Sequence, residues 1–173
     1  KSQRHFLCGS LRKGLHLVAG QRSKAQEDVR FRVLRLLQEN PDLIPWAVEE
    51  FLRFASPVYH FRRTATKDVD FNGELIKEGQ KVVTWFASGN RDETVFAEPN
   101  KFDVTRNPNE HMTFGRGGPH MCLGNALARI EMRVMFEDLI NRIDRMEATG
   151  PIDYLRSNFV HGIKRMPVRV HLR

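Results

Sequence analysis

The chain has 173 residues, 40% of them hydrophobic and 28% charged, and its formal net charge is +7. This size and composition predict one globular domain with its own core. Only Cys8 and Cys122 are present, which excludes a disulfide framework, and no apolar run approaches the ~18 residues that a membrane span requires.

The positive charge is concentrated at the start of the chain. Residues 1–39 contain nine basic and three acidic side chains, so they hold six of the seven net charges. A basic segment of this kind forms a solvated face more often than a nucleic-acid site. We therefore expect no nucleic-acid partner.

Two helices are predicted before residue 57. The first begins near Ser23 and ends before Pro41, because proline disfavours its continuation. Its apolar positions are Val29, Val33, Leu36 and Leu37. The second helix is capped by Asp42 and accepts Pro45 in its first turn. Its predicted buried face consists of Leu43, Trp46, Ala47, Val48, Phe51 and Leu52.

Glu50 and Arg53 lie three residues apart on this second helix and so share one side of it. An exposed ion pair of this spacing contributes less than about 1 kcal/mol, and the pattern is common by chance. On the spacing alone, a surface pair is the simpler interpretation.

The middle of the chain is predicted to form a small antiparallel sheet. Residues 58–66 and 81–86 are typical of strands, and Asn72-Gly73 between apolar flanks is a strong hairpin signal. Residues 88–108, called the meander below, are polar and irregular. An ordered segment of that length without periodicity is usually functional or covers something.

A glycine-rich loop, residues 112–124, contains Cys122 and leads into a third, longer helix. This helix is predicted to run to about Ile143. One face of it carries Leu123, Leu127, Ile130, Val134 and Leu139. Gly150-Pro151 ends this part of the chain, and the alternation at 167–172 predicts a half-buried strand.

The position of Cys122 allows three interpretations. Glycines let the backbone approach a flat ligand, and the amides and dipole at a helix N-terminus favour an anionic sulfur, so Cys122 could ligate a large planar cofactor. A free cysteine can also be buried and inert. Zinc, held with His111 and His120, is weakly supported because no C-x-x-C pair exists.

Taken together, residues 118–124 resemble the haem-binding loop of the cytochromes P-450, which are haem-thiolate monooxygenases. Gly118 lies four residues before Cys122, Gly124 lies two after it, and the basic residue His120 lies two before it. Phe114 lies eight residues before the cysteine, where the commonest form of the motif has seven. The resemblance implies an α+β, mainly helical fold.

Further motifs of the same family follow the expected order. Glu50 to Arg53 resembles its E-x-x-R helix, and residues 102–106 resemble the segment that completes a Glu50, Arg53 and Arg106 triad. Residues 87–92 with Phe96 and Pro99, which fall mostly within residues 88–108, resemble the part of the family chain that leads into the family's own meander. The matches imply that residues 40–173 are the haem-binding C-terminal part of a monooxygenase domain.

The resemblance also implies roles for individual residues. Cys122 would be the axial ligand of haem b, with Phe114, Gly118 and Gly124 in the cofactor loop. His120 and Arg63 match positions that contact the haem propionates, although Arg63 could equally be an exposed strand cation. Residues that match substrate-lining loops, for which ordinary packing is the alternative, are Val58, Tyr59, Phe159 and Val160.

The implied activity inserts one oxygen atom of O2 into a substrate C–H bond and reduces the other to water. Ferredoxin and ferredoxin reductase would supply the two electrons in the cytoplasm. The ending at 158–167 resembles that of bacterial members acting on sterols, terpenoids or lipids, so a small apolar substrate is expected.

Residues 1–39 depart from the family. Leu17 to Gly20 resembles the start of the helix on the distal haem face, but Gln21-Arg-Ser-Lys24 stands where that helix carries an acid-threonine pair. The N-terminal half of the usual family chain is also absent, which predicts a fragment, a mis-spliced or frameshifted product, or a partial sequence, with an open apolar surface. The alternatives are therefore a haem-binding or structural remnant that cannot activate oxygen, and a globular domain without haem.

Overall fold

The computed structural model describes residues 24–173. Cys8 and the predicted distal-helix remnant at 17–20 therefore lie outside the described residues. No helix in the described part of the chain is long and apolar enough to cross a membrane.

The first two helices form the centre of the packing. Helix α1 spans Lys24–Glu39, as predicted, and the Asn40 amide Nδ2 donates to the Leu36 carbonyl at 3.1 Å where the helix ends. A 3₁₀ turn, Pro41–Leu43, then leads into helix α2, Ile44–Ala55. The prediction that Asp42 caps α2 is wrong, because Asp42 lies inside the 3₁₀ turn and Leu43 occupies the cap position.

Helix α2 buries one side in the core and places two charged groups there as well. Its buried residues are Ile44, Ala47, Val48, Glu50, Leu52 and Arg53. Trp46, predicted to be buried, is 41% exposed because it points away from this side. The apolar core joins α2 to Leu37 of α1, Val104 of the meander and Ile140 of the long helix.

The predicted middle sheet forms as two separate antiparallel pairs. Strand β1 (His60–Thr64) pairs with β4 (Lys81–Trp85), and β2 (Val69–Phe71) pairs with β3 (Glu74–Ile76). The hairpin at Asn72-Gly73 is confirmed, with positive φ values of 53° and 82° at its two central residues. A short helix α3, Phe86–Gly89, follows β4 and leads into the meander.

The long helix α4 spans Asn125–Arg142 and packs on α2 with one side only. Met132, Phe136 and Ile140 face the core, and the Phe136 ring stacks on Phe51 at 4.7 Å. The apolar face predicted from the sequence does not pack on the core. Its residues Leu123, Leu127, Ile130 and Val134 are 58–100% exposed. An open apolar surface was expected, and α4 carries a large part of it.

The C-terminal region contains two further antiparallel pairs. Strand β5 (Ile143–Ala148) pairs with β8 (Val168–Leu172), and β6 (Asp153–Tyr154) pairs with β7 (Ile163–Arg165). The predicted final strand is confirmed, but it is not half-buried, since Val168, Val170 and Leu172 are 39–72% exposed. Strand β5 was not predicted, because its sequence IDRMEA lacks a clear alternation and directly continues a helix.

Candidate functional site

Glu50 and Arg53 form a fully buried ion pair, so the surface pair favoured by the spacing alone is wrong. Both side chains are 0% exposed, and Arg53 Nε and Nη2 donate to the two Glu50 carboxylate oxygens at 2.7 Å. Arg53 Nη1 also donates to the carbonyl oxygens of Asn90 at 2.7 Å and Pro99 at 2.8 Å. The pair therefore anchors the meander to α2 through satisfied hydrogen bonds.

Arg106 approaches the same carboxylate, so the structure brings the three predicted triad residues together. Its Nε lies 3.3 Å from Glu50 Oε2, and its Nη1 donates to the Ala97 carbonyl at 2.8 Å. The Asp103 backbone N–H donates to Glu50 Oε1 at 2.9 Å. Glu50 thus accepts hydrogen bonds from Arg53 of α2 and from the Asp103 N–H of the meander, and it pairs with the Arg106 charge, which makes it the centre of this anchor.

Asn90, at the start of the meander, connects this anchor to the cysteine loop. Its side chain is completely buried, and its Nδ2 donates to Ser56 Oγ at 2.8 Å and Thr113 Oγ1 at 3.0 Å. Its Oδ1 accepts from the Met112 backbone N–H at 2.6 Å. Sequence reasoning assigned Asn90 no role beyond its place in a family motif, because nothing local distinguishes a buried asparagine from one in a surface turn.

The cysteine loop presents its sulfur to solvent. Cys122 is a free, exposed thiol, its backbone N–H donates to the Phe114 carbonyl at 2.9 Å, and its carbonyl accepts from Asn125 Nδ2 at 2.6 Å. A Cβ placed on Gly124 would lie 4.0 Å from the Cys122 sulfur. The inert, buried interpretation of Cys122 is therefore wrong.

Glycines shape the backbone before the cysteine. Gly115, Gly117 and Gly118 have φ values between 69° and 75°, in the left-handed region that other residues rarely adopt. A Cβ on Gly117 or Gly118 would meet open space, so φ is the constraint there.

His120 and Arg63, predicted to bind propionates, are exposed side chains. Arg63 Nη1 donates to the Arg62 carbonyl at 3.0 Å, and its guanidinium lies 5.7 Å from the centre of the Phe61 ring. Within residues 24–173 neither His120 nor Arg63 forms an ion pair. Both remain available to an anionic group, and their predicted role stays a prediction.

The two predicted substrate-lining segments lie side by side. Val58 forms a β-bridge with Val160, and the Tyr59 N–H donates to the Phe159 carbonyl at 2.9 Å. The Tyr59 ring stacks on His161 at 5.5 Å. The structure thus brings the segments of all four lining candidates together beside β1.

A second charged cluster, which the sequence did not reveal, lies next to the buried pair. Glu49 accepts from His111 Nε2 at 2.9 Å and from Arg129 Nε and Nη2 at 2.7 and 2.9 Å. Burial raises the pKa of Glu49, but hydrogen bonds from His111 and Arg129 and the Arg129 charge outweigh it and lower that pKa to about 2. The only sequence signal was that Glu49 precedes Glu50 on α2 by one residue.

This cluster also bears on the zinc alternative. His111, one of the three ligands considered, is 8% exposed and directs its Nε2 to Glu49. In the described part of the chain no group of three or more His, Cys, Asp or Glu side chains is arranged to hold a metal ion. Zinc therefore has no ligand set there.

The sequence of this chain is similar to those of known proteins. The family model described as cytochrome P450 matches residues 37–164. The chain belongs to the cytochrome P450 family. Linalool 8-monooxygenase of Pseudomonas putida is 46% identical over 133 residues, which cover 77% of this chain and 32% of that protein. A methyl-branched lipid omega-hydroxylase of Mycobacterium bovis is 50% identical over 126 residues, 73% of this chain and 29% of the relative.

Solved structures agree with the assignment. Cytochrome P450-153 from Novosphingobium aromaticivorans superimposes with a TM-score of 0.75 at 40% identity, covering 79% of this chain and 35% of that structure. The predicted fold class is confirmed: helices and small antiparallel pairs form part of the P450 fold. The chain spans about a third of the length of the curated relatives that it matches.

The residues present fit haem, the cofactor of the P450 family. Cys122 offers one soft sulfur donor, and a cysteine thiolate is one of the protein ligands by which haem iron is held. Gly124, behind the sulfur, adds no side chain there, and two exposed cationic candidates, Arg63 and His120, lie on loops and strands at the surface. A single cysteine that is exposed to solvent is therefore compatible with haem.

Proposed function

We propose that this chain binds haem b through Cys122 and forms the haem-binding part of a P450 monooxygenase that inserts one oxygen atom of O2 into an apolar substrate. The observation that carries the proposal is the free, exposed Cys122 thiol at the end of the glycine loop. Haem held by a thiolate supplies the electron density that favours cleavage of the O–O bond.

The chain's own residues would hold and orient the group. Cys122 would hold the haem iron through its sulfur, and the hydrogen bond from its N–H to the Phe114 carbonyl fixes the backbone from which the sulfur extends. Arg63 and His120 would bind the two propionates through charge-assisted hydrogen bonds. Glu50, Arg53 and Arg106 would keep the meander in place and take no part in bond making.

The substrate in this proposal is a small sterol, terpenoid or lipid. The named activities of relatives support the class, since they include linalool 8-monooxygenase, methyl-branched lipid omega-hydroxylase and steroid C26-monooxygenase. The apolar surface formed by Val58, Tyr59, Phe159 and Val160 would line its pocket. Ferredoxin and ferredoxin reductase would deliver the electrons.

A second candidate function is a haem-binding remnant without oxygen activation. It is favoured by the sequence Gln21-Arg-Ser-Lys24, which lacks the acid-threonine pair of the family. Product formation with an electron-transfer pair would support the first proposal, and ligation without turnover would support the second.

A reduced, carbon-monoxide-treated spectrum of the full chain supplied with haem tests the ligand. We expect the red-shifted Soret band of thiolate ligation, its loss in Cys122→Ala, and its retention in Cys8→Ala. Absence of haem binding in the unsubstituted chain, or a band unchanged by Cys122→Ala, would contradict the proposal.

A further inference from the structure

The Glu49 cluster reaches the cysteine loop by two routes, both through Arg129. The Arg129 guanidinium lies 4.8 Å from the centre of the Phe114 ring, a cation–π distance. Its Nη1 also donates to Asn125 Oδ1 at 3.0 Å. Arg129 therefore contacts one residue on each side of Cys122 in the sequence.

Both of those residues hold the Cys122 backbone. The Phe114 carbonyl accepts the Cys122 N–H at 2.9 Å, and Asn125 Nδ2 donates to the Cys122 carbonyl at 2.6 Å. The backbone donor and the backbone acceptor of the cysteine are thus each bound to a residue that Arg129 contacts through its side chain, the Phe114 ring in one case and the Asn125 amide in the other. Displacement of the guanidinium would loosen both attachments together.

Glu49 fixes the guanidinium in that position. Its two carboxylate oxygens accept from Nε and Nη2 in a two-point arrangement, which sets the plane of the group as well as its distance. His111 Nε2 makes a third hydrogen bond to Glu49 at 2.9 Å, and its Nδ1 accepts from the Thr113 N–H at 3.3 Å, so the imidazole is held at both nitrogens.

We propose that Glu49 is a positioning residue for the haem ligand: through Arg129 it fixes Phe114 and Asn125, and through them the backbone of Cys122. This inference rests on the proposed function only in treating Cys122 as the haem ligand. The positioning of the Cys122 backbone does not depend on haem. It assigns a role to a side chain that lies beside the Glu50 anchor but serves a different segment.

An ion pair on the same helix provides a matched control. Arg133 Nε donates to Glu137 at 2.7 Å, the same distance as Arg129 Nε to Glu49, but this pair lies within α4 and is exposed. Glu137→Gln removes one carboxylate charge from an arginine pair without touching the cysteine loop. Glu49→Gln makes the same chemical change within the cluster.

Hydrogen exchange of individual backbone amides in the full chain without added haem tests the positioning directly. We expect the Cys122 amide to exchange roughly tenfold faster in Glu49→Gln, because a local opening costs less free energy there, while amides of α2 change by no more than about fivefold, the limit that a loss of about 1 kcal/mol of overall stability sets. Arg129→Lys should act in the same way, since lysine keeps the charge but loses the planar fork. Glu137→Gln should leave the Cys122 amide unchanged.

Two outcomes would overturn the proposal. One is an unchanged Cys122 exchange rate in both Glu49→Gln and Arg129→Lys. The other is an equal acceleration of all amides in both variants, which would make Glu49 a contributor to overall stability only.

The haem-loaded proteins add a spectroscopic readout. We expect a smaller fraction of the red-shifted thiolate band in Glu49→Gln than in Glu137→Gln at equal haem content. If none of the proteins retains haem, the proposed function fails and the exchange result still decides the positioning. Equal thiolate fractions in the two variants would contradict the role of Glu49 toward the ligand.

Discussion

Glu49 and Glu50 are neighbours on α2, yet each anchors a different segment of the chain. Glu50 is completely buried and holds Arg53, Arg106 and an N–H of the meander. Glu49 has a side chain that is 23% exposed and holds Arg129 and His111 beside the cysteine loop. Two adjacent residues of α2 thus hold two different segments: Glu50 holds the meander, and Glu49 holds side chains beside the cysteine loop.

The difference in burial determines how much each anchor contributes to stability. Removal of one partner from a buried ion pair leaves an uncompensated charge in the protein interior, whereas solvent screens a partly exposed pair. We therefore expect the Glu50 anchor to control folding and the Glu49 anchor to control local geometry. The predictions below test this division, beginning with the largest effect.

Arg53→Met should cost about 3–5 kcal/mol in free energy of unfolding, because it leaves Glu50 without its main partner and the carbonyls of Asn90 and Pro99 without a donor. Urea unfolding of the full chain measures this loss. The matched control is Arg133→Met on α4, which should cost less than about 0.5 kcal/mol. A loss below about 1 kcal/mol for Arg53→Met would show that the buried pair is not the anchor described here.

Asn90→Leu should have the next largest effect, about 2–3 kcal/mol, because leucine keeps the branching of asparagine but leaves the partly buried Met112 N–H without its acceptor and removes the donor to Ser56 Oγ and Thr113 Oγ1. Its unfolding by urea measures the cost. Asn100→Leu, at an exposed asparagine of the same meander, should lie within about 0.5 kcal/mol of the unsubstituted chain. Equal effects at the two positions would contradict the linking role of Asn90.

Glu49→Gln should change how stability depends on pH. The pKa of Glu49 is lowered from 4.5 to about 2 in the folded chain, so its contribution is present above about 4.5 and is lost as pH falls toward 2. After screening at this partly exposed site, the contribution is on the order of 1 kcal/mol. Unfolding free energies between pH 2 and 6 should therefore fall less steeply with acid in Glu49→Gln. A slope equal to that of the unsubstituted chain would mean that Glu49 is not held as described.

The sequence predicted the helices and strands better than the contacts between them. Helices α1 and α2, the Asn72-Gly73 hairpin and the final strand follow from periodicity and turn residues. The buried state of Glu50 and Arg53 did not follow from their spacing, because three-residue spacing fixes a shared side but not which side faces the core. It was the order of several motifs along the chain that indicated the family.

The charged cluster at Glu49 was missed for a related reason. Glu49, His111 and Arg129 lie far apart in the sequence, and only the packing of α4 against α2 brings them together. The prediction also misidentified the side of α4 that packs on the core. Leu123, Leu127 and Val134 share a face by periodicity, but that face is exposed. Local patterns identify an apolar face and cannot say what covers it.

The open face of α4 should give the smallest effect of all on stability. Leu127 is 60% exposed, so Leu127→Gln removes little buried area and should change the free energy of unfolding by less than about 0.5 kcal/mol. Ile140, on the opposite side of the same helix, is 4% exposed, and Ile140→Ala should cost about 2–4 kcal/mol because it leaves a cavity in the core. Urea unfolding of the two variants compares the sides of one helix directly. A Leu127→Gln cost similar to that of Ile140→Ala would show that another part of the chain covers this face, and the apolar surface of α4 would then belong to the core that supports Glu49 and Glu50.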